Sequence, residues 1–553
     1  MAGRLWMDAC AASNGVMAMI ADRLALPRAG RDGRPEAGDA VIAIRRGSGR
    51  KAGSNDGAPG VWLLDGTQGL DREDVEQMLM AGVRLDPALL AEFAGIGGSD
   101  GCAGAAGGAA RCAGAADADA ARGPDGCAEA AAGARMDKGA GADVFIASER
   151  IGGAGRTDLR VRSSAGVRLF EVPVFHLRAL AVRRIGPGAH LLPADWDGPH
   201  PLRRRLESAA VRALYAAGRD FGTVLLAAAD DGAVRVAGPF GEPVQRDFPL
   251  WLEAVGAFRA ELADEAENGR RRELLIGADP EFLLVGPDGR VVSAARFFPR
   301  DGAAGSDTLR VRGQLRCPVA ELRPDPAPDP DGLLRGIRGL LRRAEAMTAA
   351  AGRPLRWLAG GMPVPGFALG GHLHMNVPPS ARLLRVLDSC VALPLAAAED
   401  ARGLRRRPRY GALGDFRFKP YGFEYRTPPS WLVSPLAAQA AFAAALLAAR
   451  HAASLAALTG LPSETEAGRR AYYAGDRDAL REMALKAHDA MRRVPGYAAY
   501  RRWIAPFFAA LERGAVWRED ADFRPKWGLP AREAAAGGAA SQAGGSGRVG
   551  RNR

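Results

Sequence analysis

Residues 414–428 read GDFRFKPYGFEYRTP, packing two arginines, a lysine, an aspartate, a glutamate and five aromatic residues into fifteen positions. Pro420 presets φ for a β-turn and Gly422 suits the turn's last position, so Lys419-Pro420-Tyr421-Gly422 reads as the tip of a hairpin. With Lys419 opposite Gly422, counting outward sets Arg417 across from Glu424 and Asp415 across from Arg426. Side chains alternate along a strand, so these four share one face, and Phe416, Phe418, Phe423 and Tyr425 share the other. One face suits a core, and the other holds charges in fixed mutual orientation. A salt-bridged exposed hairpin would look the same, because cross-strand ion pairs stabilise by roughly 0.2–1 kcal/mol on their own. The rest of the chain has to decide.

It supplies three more pairs of the same kind. Asp279 and Glu281 in GADPEF, Glu321 and Arg323 in AELRP, and His372 and His374 in GGHLHMN join Glu424 and Arg426 as i, i+2 pairs on strand-like segments. Each pair points to one strand face, and four such pairs imply a shared polar cleft over a sheet. Pro280, between the first two, is where a bulge would turn those carboxylates apart. Carboxylates with one or two imidazoles suit Mg²⁺ or Mn²⁺. Arginine and lysine beside them suit phosphate oxygens, Arg as a planar fork and Lys as a point charge. Divalent metal and cationic side chains around a polyphosphate are what nucleotide-driven phosphoryl transfer requires. Taken singly, the residues have plainer readings: hydrogen-bonded structural histidines, a solvated strand end at Asp279-Glu281, an internal ion pair at Glu321-Arg323. No P-loop competes, and Gly360-Gly361 and Gly370-Gly371 remain as phosphate-loop candidates.

The bulk numbers fit this picture. A chain of 553 residues has room for two or three domains, and its 25% charged and 48% hydrophobic residues are those of a globular protein. The net charge of +12 is spread along the chain without a compact basic block or a DNA-reading module, so no nucleic-acid partner is expected. Cys102, Cys112 and Cys127 lack zinc spacing and nearby histidine, and read as free thiols of a reducing compartment. Asp8 and Asp22 interrupt the N-terminus, which does not resemble a signal peptide. The apolar run at 435–449 ends in Arg450 and His451, short of a membrane span, and reads as a buried helix. The expectation is a cytoplasmic protein of open oligomeric state.

Along the chain, residues 1–35 read as a disordered leader and 36–250 as an α/β region, interrupted by an Ala/Gly-rich insertion at 97–142. DLRVRSS and VRALYAAGRDFGTVLLAA resemble the last part of ATP-grasp ligases, but the acidic pair that should close that pattern is missing after Val236, and no activity is assigned to this region. Residues 273–460 alternate strands with helices in a way that predicts an α+β domain on a largely antiparallel sheet. Leu333, Leu334, Ile337, Leu340, Leu341 and Met347 lie at helical spacing, and Ser434-Pro435 opens a helix that Gly460 and Pro462 close. Residues 461–530 read as a helical extension and 531–553 as a disordered Gly/Ser/Ala tail.

GADPEFLL, CPVAELRPDP, GGHLHMN and RRPRYGALGDFRFKPYGFEYRTPPSWL occur in that order and resemble the motifs of the phage-type amidoligases, the COOH-NH2 ligases of type 2. That family is related to glutamate-cysteine ligase and glutamine synthetase. The resemblance implies a glutamine synthetase-like antiparallel sheet with flanking helices. It also implies ATP-dependent joining of a small-molecule or peptide carboxylate to an amine through an acyl phosphate. By position, Glu281, Glu321 and His372 would be metal ligands, with Glu424, Asp279 and His374 as further candidates. Arg417, Lys419 and Arg426 would face phosphates or a substrate carboxylate, with Arg323 beside them. An amino acid, peptide or cell-wall precursor fits the basic surroundings as substrate. A metal-dependent hydrolase and a non-catalytic binder on the same scaffold are the competing expectations.

Overall fold

The computed structural model describes residues 4–8, 14–46, 62–89, 167–186 and 201–531, apart from a few positions within these ranges. The insertion at 97–142, the stretches DVFIASERI and DLRVRSS, and the tail beyond 531 lie outside the described residues.

The first half of the chain builds a mixed sheet from β1 (Leu5–Met7), β2 (Ala40–Arg46), β3 (Trp62–Gln68), β4 (Val167–Phe175), β5 (Arg178–Ala179), β6 (Arg183–Ile185), β7 (Phe221–Ala229) and β8 (Val234–Val236). Its order is β1-β2-β3-β7-β4-β5, with β6 on β4 and β8 on β7. Strands β1, β2, β3 and β7 are parallel, and β4 runs against β7. Helices α1 (Gly15–Arg23), α2 (Arg72–Met80), α3 (Pro201–Ala216) and α4 (Phe248–Asn268) accompany it. The supposed leader is thus corrected: it supplies β1 and α1, whose Leu5, Met7, Met17 and Ile20 are buried. Asn14 caps α1 by accepting from the Val16 and Met17 amides, a short-range signal that its weakly apolar surroundings hide. Helix α4, not anticipated, seats Trp251, Val255 and Phe258 in the core on one helical face.

The second half contains β9 (Ile276–Val285), β10 (Val291–Val292), β11 (Ala304–Val311), β12 (Gln314–Leu322), α5 (Pro330–Ala349), β13 (Arg356–Leu358), β14 (Gly371–Met375), α6 (Ala381–Leu387), α7 (Leu393–Ala397), β15 (Phe416–Lys419), β16 (Gly422–Tyr425) and helices α8 (Pro435–Thr459), α9 (Glu466–Ala474), α10 (Arg477–Arg493) and α11 (Tyr497–Glu512). Its sheet runs β11-β12-β9-β14-β16-β15, with β10 and β13 also on β9, and these pairings are all antiparallel. Only Val291–Val292 of VVSAARF pairs as a strand, because Ala294–Arg296 turns into a 3-10 helix. Asp329 caps α5 by accepting from the Gly332 amide, Pro330 fills its first turn, and Leu333, Leu334, Ile337 and Leu341 form its buried stripe. Helix α8 starts after Ser434 and ends at Gly460, held at φ 54°, where a side chain would be strained. It continues past Arg450 and His451, so by length and composition it could cross a membrane. In this fold its Phe442, Leu446, Leu447 and Leu455 are buried in the core.

One cluster of buried side chains runs through both halves, from Leu5, Ile42 and Trp251 to Ile276, Leu373 and Phe442. Polar contacts cross the same boundary. Arg385 of α6 meets Asp220 at 2.9 Å, both buried. His176, at the left-handed turn between β4 and β5, accepts from the Ala381 amide at the start of α6 through Nε2, at 3.4 Å. Burial first, then the nearby Arg178, Arg385 and Arg382, pushes the His176 imidazole down to about 3. It therefore folds neutral, and the unfolded chain, with an ordinary histidine near pH 6.5, binds the extra proton as pH falls. Stability from this group is fully present above about pH 6.5 and is lost below it. Wild type should lose about 2 kcal/mol relative to His176→Phe between pH 7 and pH 5, measured as the difference in denaturant unfolding; a constant difference would refute the assignment.

Candidate functional site

Strand register decides which side chains meet. His372 lies opposite Asp279, His374 opposite Glu424, Glu321 opposite Glu281, and Arg417 opposite Glu424. The hairpin pairs as counted from the sequence, Lys419 with Gly422 and Phe416 with Tyr425, and the Arg426 amide donates to the Asp415 carbonyl at 2.8 Å. Pairing on β9 runs without a shift on either side of Pro280, so its two carboxylates stay on the same face.

The acidic and imidazole groups gather as two clusters, Asp279 with His372 and Glu424, and Glu281 with Asp307 and Glu321. Within each, one ligand atom per residue lies within 4.8 Å of the others. In the first, His372 Nδ1 is 3.1 Å from Asp279 Oδ1 and 3.4 Å from Glu424 Oε1, while His374 Nε2 is 3.0 Å from Asp279 Oδ2. Yet Asp279 Oδ1, His372 Nδ1 and His374 Nε2 are buried without a hydrogen bond. Buried polar atoms nearly always find partners. Ligand atoms this close, without well-aligned hydrogen bonds, fit a shared point between them, as a cation would require. Gly370 makes the arrangement sterically possible, since a Cβ there would collide with the His372 ring.

Glu424 is enclosed, with 1% exposure. Lys419 Nζ and Arg417 Nη1 approach its Oε2 at 2.9 and 3.2 Å, and Arg426 Nε its Oε1 at 3.1 Å. Burial and Asp279 would raise its pKa, but His372, Lys419 and Arg417 outweigh them and hold it low. Burial would likewise raise Asp279, but His372 and His374 pull it well below the usual carboxylate range. His372 responds in kind: burial opposes its charge, Asp279 overrides, and the net shift is upward.

The second cluster behaves oppositely. Glu281 Oε2 accepts from the Gly370 amide at 2.7 Å, yet burial raises its pKa. Burial and then Asp279 push Glu321 up to about 8, against the attraction of Arg323. Arg323 is engaged with Glu321, and its Nη1 donates to the Arg300 and Gly302 carbonyls at 3.1 and 2.9 Å. Asp307 was missed because GSDTLRV, flanked by Gly-rich sequence, does not announce β11; its alternate β-branched and apolar residues are the signal that was there. Tyr421 was missed as well: at the hairpin tip, half exposed, it hydrogen-bonds His374 Nδ1 and stacks on that ring at 6.0 Å.

Two readings are corrected. Gly360-Gly361 and Gly370-Gly371 are not phosphate loops, because their amides are used internally: Gly361 and Met362 donate to Glu519, Gly370 to Glu281, and Gly371 to the Pro428 carbonyl. The aromatic hairpin face is only partly core. Phe423 and Tyr425 are buried, but Phe418, on edge strand β15, is 38% exposed beneath the Arg178 guanidinium at 4.4 Å.

Residues 276–529 match the family model described as phage phiEco32-like COOH.NH2 ligase-type 2. The match continues through helices α9 to α11, beyond the boundary expected at 460. No curated protein matches the chain. Among solved structures, a crystal structure of a novel glutamine synthase homologue is 18% identical, with 54% of this chain and 79% of that one covered and a TM-score of 0.23. A GmaS/ADP complex in conformation 1 is 15% identical, with 63% and 94% covered and a TM-score of 0.23.

Because Glu321 holds its proton up to about pH 8, a cation taken by Glu281, Asp307 and Glu321 must displace that proton. Mn²⁺ affinity should therefore rise about tenfold from pH 6.5 to pH 8, with proton release visible by calorimetry in buffers of different ionisation enthalpy. A pH-independent affinity would remove Glu321 from the ligand set.

Proposed function

We propose that this chain, through its COOH-NH2 ligase domain, is an ATP-dependent carboxylate-amine ligase that makes an amide through an acyl phosphate, on a glutamine synthetase-like sheet. The observation that carries the reading is the pair of clusters on one sheet face, flanked by Arg417, Lys419 and Arg426. In this reaction a substrate carboxylate oxygen takes the γ-phosphoryl group and ADP departs. The amine then displaces phosphate from the acyl carbon and loses a proton.

The donor set fits Mg²⁺ or Mn²⁺: carboxylate oxygens dominate, imidazole nitrogen is available, and the buried atoms of Asp279, His372 and His374 lack other partners. Asp279, His372 and Glu424, with His374 beside them, would hold one ion, and Glu281, Asp307 and Glu321 a second. Bound there, divalent cations supply charge neutralisation for the polyphosphate and the transferring group. Asp279 and Glu281 are two residues apart on β9, so the clusters are spaced by about 7 Å along the strand, the scale of a triphosphate.

Arg417, with 53% of its side chain exposed, and Lys419 and Arg426 with about a quarter exposed, present N–H groups at the cleft rim while holding Glu424. They bind and orient phosphate or carboxylate oxygens there. Arg323 pairs with Glu321 and fixes its direction. Tyr421, half exposed at the hairpin tip, offers a ring for a substrate or a nucleotide base. The net positive rim favours an acidic acceptor such as an amino acid, peptide or cell-wall precursor.

Calorimetric titration of ATP with and without Mg²⁺ tests this reading. Wild type should bind ATP only with the metal, and Glu281→Ala should weaken that binding at least tenfold. Phosphate release should then appear with a matching acid and amine. Turnover without nucleotide would favour a metal-dependent hydrolase, and nucleotide binding unaffected by Glu281→Ala would remove the metal assignment.

A further inference from the structure

The π-helical turn Asp388–Ala392, inserted between α6 and α7, places Asp388 in the core at 1% exposure. Such turns recur at functional sites because they push one side chain out of helical register. Asp388 accepts three hydrogen bonds from three separate segments. Tyr425 on β16, next to Glu424, donates its hydroxyl to Oδ1 at 2.6 Å. The Gly414 amide, where the chain enters the hairpin, donates to the same oxygen at 3.1 Å. Tyr215 on α3, in the first half of the chain, donates to Oδ2 at 2.8 Å. Both ends of the hairpin therefore attach to a carboxylate whose other oxygen is held by the first half of the chain.

Shape supports the same link. Gly414 is held at φ 71°, and a Cβ there would collide with the Tyr215 ring, so the ring and the hairpin entry fit only because this residue is glycine. Arg385 lies over the other side of that ring, 5.7 Å from its centre, and is itself fixed by Asp220. A second contact comes from the same half of the chain: Arg178 of β5 covers Phe418 on the hairpin's outer face. Burial and Asp388 hold both phenols protonated, as donors require. Burial pushes Asp388 up to about 7 against its three donors, so it is the acceptor above neutrality.

We propose that Tyr215 is a positioning residue: through Asp388 it fixes the hairpin that carries Arg417, Lys419, Glu424 and Arg426, so the part of the first half that carries Tyr215 and Arg178 serves as a brace for the cationic rim of the cleft. What the hairpin does once fixed rests on the ligase reading; the brace itself stands on the geometry. An untethered hairpin keeps its fold but samples arrangements in which the three cations and Glu424 no longer converge. This would slow phosphoryl transfer more than it weakens nucleotide binding.

Hydrogen exchange followed by mass spectrometry on the full chain at pH 7.5 tests the brace. Tyr215→Phe keeps the ring against Gly414 and removes only the donor. Peptides covering 412–427 should exchange at least fivefold faster in this variant, with β9 and β14 within twofold of wild type. Glu464→Gln, which loosens the neighbouring contact with Arg385 Nε at 3.4 Å, should leave the hairpin rates unchanged. In turnover, kcat should fall about tenfold with KM for ATP within twofold. Should Tyr215→Phe fail to fold, Tyr425→Phe cuts the same node from the other side and should give the same local pattern. Unchanged hairpin exchange in the variant that folds, equal loosening throughout the chain, or a loosened hairpin with unaltered kcat would each overturn the proposal. A loosened hairpin in a chain whose wild type never releases phosphate would support the brace and defeat the ligase reading instead.

Discussion

A carboxylate withdrawn from water is costly unless positive charge and hydrogen bonds meet it, and Glu424 is 1% exposed. Lys419, Arg417 and Arg426 reach it from its own hairpin, and His372 from the neighbouring strand. Arg417, Lys419 and His372 could not do so unless β14, β15 and β16 kept one register, because a slip of one residue would send every side chain to the opposite face. Glu424 thus ties the chemistry of the site to the pairing of the sheet. The aromatic residues enforce that pairing from behind: Phe423 and Tyr425, alternating with Glu424, are fully buried and lock the strand against the core.

The backbone around the site is shaped by what must come close to it. Gly370 leaves space for the His372 ring and turns its amide to Glu281, and Gly305 leaves space for the Arg323 guanidinium. The loop that leads into β14 is held from a distance in sequence by Glu519, whose two oxygens take the Gly361 and Met362 amides at 2.7 and 2.9 Å. Glycines at 360 and 361 allow the Glu519 and Glu399 carboxylates to approach the chain so closely. Amides that resemble an anion-binding loop therefore do meet acceptors, but these are the Glu519 and Glu281 carboxyl groups and the Pro428 carbonyl of the protein itself. Sequence spacing describes the donor and says nothing of which acceptor fills it.

The same distinction explains how much was legible. Period-two alternation is a local property, and it placed Asp279, Glu281, Glu321, His372, His374 and Glu424 on one face before any partner strand was known. The hairpin register followed from Pro420 and Gly422, which constrain a turn without help from the rest of the fold. Ordered family motifs then supplied the antiparallel sheet. What failed were features fixed by distant contacts. Leu5 and Ile20 look too thinly spread to form a core, and become one only against α4 and β2. Asp307 enters the second cluster because β11 pairs with β12, a pairing its Gly-rich flanks conceal. Phe418 is exposed because β15 has no outer neighbour among the described strands, which its own sequence cannot reveal.

The two clusters also differ in how they manage charge, and the difference follows from where the cations sit. Asp279 and Glu424 are held low by imidazoles and by the hairpin's cations, so their cluster tolerates ionised carboxylates by itself. Glu281 has burial against it and His372 and the Gly370 amide in its favour, Glu321 has burial and Asp279 against it and Arg323 in its favour, and both are pushed up. Bringing a divalent cation to the first cluster adds positive charge where much is already present. Bringing one to the second replaces a proton and relieves a buried like-charge set. A divalent cation at the second cluster would therefore bind with an affinity that follows pH, whereas the geometry of the first is held by the protein's own imidazoles and cations.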